Sequence, residues 1–275
     1  MRIFENSNPD FGRAFKRISL ALRTHFPNVD WVTTNPDIEI IQVVGKKEYE
    51  YLMSKTSLSN VVMFQQCLYT TDIPVTNWAT LWNECKLTLS FHDLTGYIND
   101  ASKFLRTPLG AEPDLFPISK VQRTYTVFSS GHVAETECLD KVFEACVLAN
   151  KTMLHTGENF KWNDSRYQFM EYMTDSWYTS FLQRVKYVTG LRIIEGFEMH
   201  CIEGAMTGAV PIVPNLPTYS YYKDFGKYID MKGDIVKQLA SIFESEYKPL
   251  SPKQIAYIRD RFSWKTICGD IYKKL

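Results

Sequence analysis

The sequence has no long apolar run. No stretch approaches the length of a membrane span, and the opening residues, MRIFENSNPDFG, lack the apolar core of a signal peptide. It also has no net charge, because 31 Lys and Arg residues balance 31 Asp and Glu residues. That balance supplies no global field for gathering polyanions, so any nucleic-acid contact must come from a local basic face. The six cysteines, Cys67, Cys85, Cys138, Cys146, Cys201 and Cys268, form no CxxC pair and no metal-type spacing. Four of them fall in apolar or helix-patterned runs, so reduced, buried thiols in a cytoplasmic protein are expected. Internal repeats are also missing, and an apolar content of 45% with 14% aromatics excludes disordered, collagen-like and low-complexity chains.

What is present is a core-forming composition, 45% hydrophobic and 14% aromatic over 275 residues, enough for one large or two modest domains. Short β-rich runs alternate with helix-patterned stretches. Strands are expected at Arg2–Glu5, Val29–Thr33, Ile38–Val44, Val61–Gln65 and Lys86–Phe91, with helices at Gly12–His25, Lys46–Ser54 and Trp78–Cys85. A second cycle begins at strand Thr124–Ser129. It continues through helix Glu137–Ala149, strand Thr152–His155, helix Ser165–Met173 and strand Lys186–Thr189. Further strands are expected at Val210–Val213 and Tyr228–Asp230, with helices from Asp234 and Pro252 onward. Such alternation predicts an α/β protein with parallel sheets covered by helices on both faces. The Pro- and Gly-rich segment 107–117 divides the chain into two Rossmann-like domains, 1–110 and 118–260, followed by a terminal segment 261–275. In such a pair, ligands are expected at the carboxyl ends of the strands, in a cleft between the domains.

Residues 195–213, EGFEMHCIEGAMTGAVPIV, carry the chemistry. A strand ending at Glu195, a glycine turn and a helix starting near Phe197 or Glu198 would present backbone N–H groups to an anionic or hydroxyl-rich ligand. Glu195 and Glu203, with seven residues between them, could face one ligand but are too widely spaced for a coupled acid–base dyad. As a purely structural alternative, Glu195 and Glu198 are carboxylates favoured at a helix start.

This stretch resembles the retaining, GT-B-fold glycosyltransferases of the GT4-like group, whose signature is E-x7-E followed by a Gly and an apolar strand. The resemblance extends to Gly110–Phe116, similar to the family's linker. It also covers Gly131–Ala145, similar to its first C-terminal βα unit, and Phe262-Ser263-Trp264, which in the family precedes a last helix crossing back to the N-terminal domain. At 275 residues the chain is short for the group. The resemblance implies that Glu195 contacts the transferred sugar and Glu203 the ribose hydroxyls. It also implies that Gly131, His132, Arg192 and the backbone at Phe197, Glu198 and Met199 line the donor. The substrate would be a nucleoside-diphosphate sugar, UDP- or GDP-linked, with no metal required.

The sequence departs from this pattern at two positions. Where the family carries an Arg after the glycine and a Lys six residues beyond it, this chain has His132 and Glu137. Three outcomes stay open: another cation (Arg192, Lys186 or Arg13) stabilises the leaving diphosphate, donor binding differs, or the protein is a catalytically silent nucleotide-binding module.

In the N-terminal half, His92 and Asp93 follow a strand and are candidates to orient an acceptor hydroxyl or donor sugar, with a helix-capping Asp and a packed His as the structural alternative. Gly12 and Arg13 form a candidate ligand-facing loop after the first strand. On the helix that follows, Phe15, Ile18 and Leu22 are expected to pack on the sheet, leaving Lys16, Arg17 and Arg23 toward solvent. Tyr219, Tyr221, Tyr222, Trp78 and Trp82 are expected in the core, with stacking on a sugar or base as the alternative. The acceptor is open between a glycan, a lipid-linked sugar, a small metabolite and a hydroxymethylated base in DNA, the last by likeness to compact bacteriophage enzymes.

Overall fold

A computed structural model describes residues 1–6, 13–69, 71–171, 174–192 and 196–275, with Arg13 and Ala14 described for backbone only. The chain separates into two compact units, Met1–Leu109 with Trp264–Leu275, and Gly110–Ser263.

The first unit is built on a six-stranded sheet of β1 (Arg2–Glu5), β2 (Asp30–Trp31), β3 (Ile38–Val43), β4 (Val61–Gln65), β5 (Leu87–Ser90) and β6 (Phe104–Arg106), in the order β2-β1-β3-β4-β5-β6. Every pairing is parallel. The central strands read as near-continuous apolar runs because both sheet faces are covered, and every residue of β4 and β5 is buried. Helix α1 (Arg13–His25) buries Ile18, Ala21 and Leu22, α2 (Lys46–Met53) buries Leu52, and α3 (Val75–Glu84) buries Trp78, Leu81 and Trp82. Arg23 is exposed, as expected, and its guanidinium lies over the Trp31 ring at 4.8 Å and 3.5 Å from Glu5. Glu5 is a buried carboxylate at the end of β1 that accepts from Ser19 and Gln42, both at 2.5 Å. These donors offset the cost of removing its charge from water.

The second unit holds β7 (Tyr125–Gly131), α4 (Leu139–Leu148), β8 (Met153–Gly157), β9 (Tyr167–Phe169), α5 (Asp175–Leu182), β10 (Val185–Thr189), α6 (Met199–Met206), β11 (Val210–Pro214), β12 (Lys227–Ile229), α7 (Ile235–Glu244) and α8 (Pro252–Arg261). Its sheet order is β12-β11-β10-β7-β8-β9, again parallel throughout. The chain winds outward from β7 to β9, then returns to β10 on the other side of β7 and winds out to β12. The switch point between β7 and β10 is where doubly wound sheets bind ligands, beyond the strands' carboxyl ends.

Segment 110–117 is ordered in this unit. Ala111 N–H donates to Phe262 O at 3.0 Å, and Arg259 donates to Phe116 O at 2.7 Å and Pro113 O at 3.0 Å. Helix α9 (Trp264–Tyr272) groups with the first unit and packs on α1, with Tyr272 edge-on to Phe26 at 5.5 Å.

One expected element is corrected. The helix expected over 165–173 is not found in its described part: residues 165–171 hold β9, which pairs with Met153–His155 of β8, and 172–173 lie outside the described residues. Tyr167 packs edge-on against Trp162 and Phe143 there, and sheet pairing plus that aromatic contact override the local pattern. Helix α5, absent from the sequence reading, begins at a Thr174 cap whose side chain accepts from the Trp177 N–H.

Candidate functional site

The switch point of the second unit gathers a charged cluster at the ends of β7 and β10. Strand β7 ends at Gly131 and runs into the loop His132–Cys138, which closes with Leu139 N–H donating to Ala134 O at 2.8 Å and with Cys138 in the left-handed region. The Glu137 side chain folds back across this loop. One carboxylate oxygen accepts from the N–H groups of His132 at 2.6 Å and Val133 at 2.9 Å, and the other pairs with Arg192. Burial acts to raise the Glu137 carboxyl, but the Val133 amide, the Arg192 charge and the His132 amide together hold it below its ordinary value of 4.5.

Arg192 also lies 3.1 Å from Glu198, the N-cap residue of α6. Glu198 and Glu137 together hold the guanidinium pKa above its usual value. His200 donates through Nε2 to Thr189 O at 2.7 Å, which leaves Nδ1 3.5 Å from the other Glu198 oxygen. Thr189 in turn bonds Ser129 of β7, tying the two strand ends together.

Glu203 stands on α6 and is 2% exposed. It accepts from the Tyr178 hydroxyl at 2.6 Å. Phe197 is buried and packs against Tyr221, Tyr222 and Phe262, while the Tyr222 hydroxyl donates to Glu198 O at 3.2 Å. Met199, the first residue of α6, is also buried. Tyr219, Tyr222, Trp78 and Trp82 are fully buried core residues.

The loop is supported from below by His155 on β8. Its Nε2 donates to Gly131 O at 3.2 Å, so its Nδ1 accepts from the Tyr167 hydroxyl at 2.9 Å. Burial depresses its pKa from 6.5 to about 4, which keeps the ring neutral.

No family model and no curated protein sequence matches the chain. Solved structures do. A sucrose-phosphate synthase from Thermosynechococcus elongatus superposes with a TM-score of 0.71 at 9% identity, covering 99% of this chain and 98% of that one. AviGT4, a glycosyltransferase involved in avilamycin A biosynthesis, gives 0.64 at 9% identity, covering 99% and 96%. The pneumococcal O-GlcNAc transferase GtfA, in complex with UDP and GlcNAc, gives 0.59 at 11% identity, covering 96% of this chain and 60% of that one. The chain has a GT-B fold.

Within this GT-B chain, the structure brings Gly131, His132, Arg192, Glu198 and Glu137 together, and places Glu203 further along α6. His92 and Asp93 belong to the first unit. His92 is buried beside Phe91, with ring centroids 4.5 Å apart, and sits edge-on to Tyr69 at 5.8 Å. Asp93 accepts from the Thr95 hydroxyl at 2.7 Å and the Thr95 N–H at 3.2 Å, and these bonds lower its pKa. That arrangement is an Asx turn rather than the helix cap of the structural alternative, since no helix begins at residues 94–100. Glu195 and Gly12 lie outside the described residues, as does the side chain of Arg13. Among the described residues no group of three or more His, Cys, Asp or Glu side chains could hold a metal, and no helix is long and apolar enough to cross a membrane.

Sequence reasoning missed two of the residues that shape the site. Tyr178 lies on the helix that went unread, and His200 was passed over inside the E-x7-E segment. The apolar spacing of Trp177, Tyr178, Phe181 and Leu182 was the available signal for the first.

Proposed function

We propose that this protein is a retaining glycosyltransferase that uses a nucleoside-diphosphate sugar. The observation that carries the reading is the cluster at the β7–β10 switch point of a GT-B fold: loop amides at 132–133, Arg192, and the start of α6. Amides, a guanidinium and a helix N-terminus are the groups that neutralise a departing diphosphate. The neighbour GtfA was solved with UDP and GlcNAc, which supports a UDP-sugar donor.

In the proposed reaction an acceptor hydroxyl attacks the anomeric carbon from the face the diphosphate leaves. The new carbon–oxygen bond forms as the bond to the phosphate oxygen breaks, and the hydroxyl proton passes to that departing oxygen. No strong protein base is required. Glu195 would contact the sugar and Glu203 the ribose, with Arg192 serving as the cation that position 137 does not supply. His92 would stand on the acceptor side, where the candidates are a glycan, a lipid-linked sugar or a hydroxymethylated DNA base.

The test is a thermal-shift and calorimetric screen of UDP, GDP and their sugars, followed by Glu195→Ala and Glu203→Ala. A ligand that prefers the folded state raises its apparent stability. Glu203→Ala is expected to weaken nucleotide binding and Glu195→Ala to depress turnover chiefly. Wild-type sugar transfer in both variants would refute the site assignment.

A second reading, a silent nucleotide-binding module, is favoured by Glu137, an anion at the position where the family pattern has a cation. Hydrolysis of the donor by the purified protein would count against it.

A further inference from the structure

The carboxylate of Glu137 stands where an oxyanion would be received. It accepts from two successive backbone N–H groups, His132 at 2.6 Å and Val133 at 2.9 Å, and pairs with Arg192 through its other oxygen. It rests against Gly131, where a Cβ would collide with the carboxylate, so the space at the end of β7 is shaped to the carboxylate's oxygens. Paired amides of this kind form an anion-binding concavity.

A second observation lies on the α6 side of Arg192. The Tyr219 hydroxyl, on a side chain 1% exposed, has no hydrogen-bond partner among the described residues. It lies so close to Gly196 that a Cβ there would collide with it, and it sits within electrostatic reach of Arg192 and Glu198. The site therefore offers two amides, a guanidinium and an unused buried donor.

Its charge does not suit an added anion. Glu137 and Glu198 both face the one guanidinium of Arg192, so the carboxylates outnumber the cation. A phosphate laid beside an ionised Glu137 would meet like charge at contact distance, and the two amides cannot serve both anions at full strength.

We propose that Glu137 is an internal competitor for the donor's diphosphate: a bound diphosphate takes the His132 and Val133 amides and Arg192 from it. This rests on the nucleotide-sugar reading of the same site. The exchange needs only rotation about the Glu137 side-chain bonds, because the loop is closed by its own backbone bonds, Glu137 N–H to Val133 O at 3.1 Å and Leu139 N–H to Ala134 O at 2.8 Å. The device sets a threshold: an anion enters only if it binds these groups better than the tethered carboxylate. A nucleoside diphosphate, with several phosphate oxygens, can do so where a single carboxylate ligand cannot. Glu137 thus acts as a specificity-determining residue for the proposed donor.

The experiment is calorimetric titration of the full chain with inorganic pyrophosphate, free of divalent metal, for wild type, Glu137→Ala, Glu137→Gln and Arg192→Ala. Glu137→Ala is expected to bind pyrophosphate at least about tenfold more tightly than wild type, the scale of one charge-assisted hydrogen bond. Glu137→Gln, which keeps an acceptor oxygen but no charge, is expected to fall between them. Arg192→Ala is expected to bind more weakly than wild type. In wild type, the amide resonances of His132 and Val133 are expected to shift on titration, and this readout holds even if Glu137→Ala fails to fold. Unchanged or weaker binding in the folded Glu137 variants would overturn the proposal, since a merely structural Glu137 would lose the site when removed.

UDP and GDP titrated in parallel separate the two readings. Tighter pyrophosphate binding in Glu137→Ala, with neither nucleotide exceeding pyrophosphate, supports the competitor and refutes the nucleotide-sugar donor. Nucleotide binding that weakens in Glu137→Ala supports the donor and refutes the competitor.

Discussion

Tyr178 donates its hydroxyl proton to Glu203 across 2.6 Å, and both side chains are buried. The pair ties α5 to α6, and the Tyr178 ring is fixed edge-on against Phe116 and Phe128. Removing the hydroxyl leaves the ring packing intact and takes a donor from a desolvated carboxylate. Tyr178→Phe is expected to destabilise the protein by about 1.5–3 kcal/mol, the range for a hydrogen bond to a charged group. Urea denaturation checks this, and a loss below about 0.5 kcal/mol would show that Glu203 finds the same stabilisation elsewhere.

Gly157, at the end of β8, has φ +121°, and a Cβ there would run into the backbone of Gly131. The two glycines face one another in the β7–β8 register, directly beneath the 132–138 loop. Gly157→Ala is expected to cost about 2 kcal/mol or more, because backbone strain and a backbone clash add. The same variant is expected to shift the His132 and Val133 amide resonances.

His155 makes stability depend on pH. Its folded pKa, about 4, is below its ordinary 6.5, so between those values the unfolded chain binds the extra proton. Its contribution is therefore complete above pH 6.5 and falls as pH drops toward 4, by an amount on the order of 3 kcal/mol. Glu137 acts lower, since its pKa is held below 4.5 and its contribution is lost only beneath that value. Denaturation midpoints across pH 4.5–6.5 for wild type and His155→Gln would separate them. The variant is expected to show a flatter slope in that window.

Thiol reactivity should be confined. None of the six cysteines is in a disulfide, and burial pushes the thiols of Cys85 and Cys146 up to about 12 and that of Cys138 up to about 11. The thiolate is the reactive form, so these residues are expected to resist alkylation in the native state. Cys67, which is half-buried, is expected to be labelled first, and mass spectrometry after brief treatment would identify it.

The strands of both sheets were legible because parallel strands covered on both faces must be apolar along their length, as at Val61–Gln65 and Val210–Val213. Edge strands β6 and β9 were not: each is three residues long, and β9 is held by pairing and by the Trp162 and Phe143 rings, which no local pattern reports. Gly131, His132, Arg192 and Glu198 were named only through the family resemblance, and the structure places them together beyond the ends of β7 and β10. What Glu137 does there was not legible. A carboxylate at that position reads in the sequence as a lost cation, and only the fold shows it bonded to the loop's own amides and facing Arg192.

Helix α9 belongs to the unit that begins at Met1, although the whole of Gly110–Ser263 intervenes in the chain. Because α9 follows the whole second unit in the chain, the first unit lacks the helix that covers α1 until Trp264–Tyr272 is in place. Until then the apolar face beneath Ile267, Cys268 and Ile271, all fully buried in the finished fold, stays uncovered. Closing the first unit is therefore a long-range event, in which α9 must reach back past the whole of Gly110–Ser263 to cover α1.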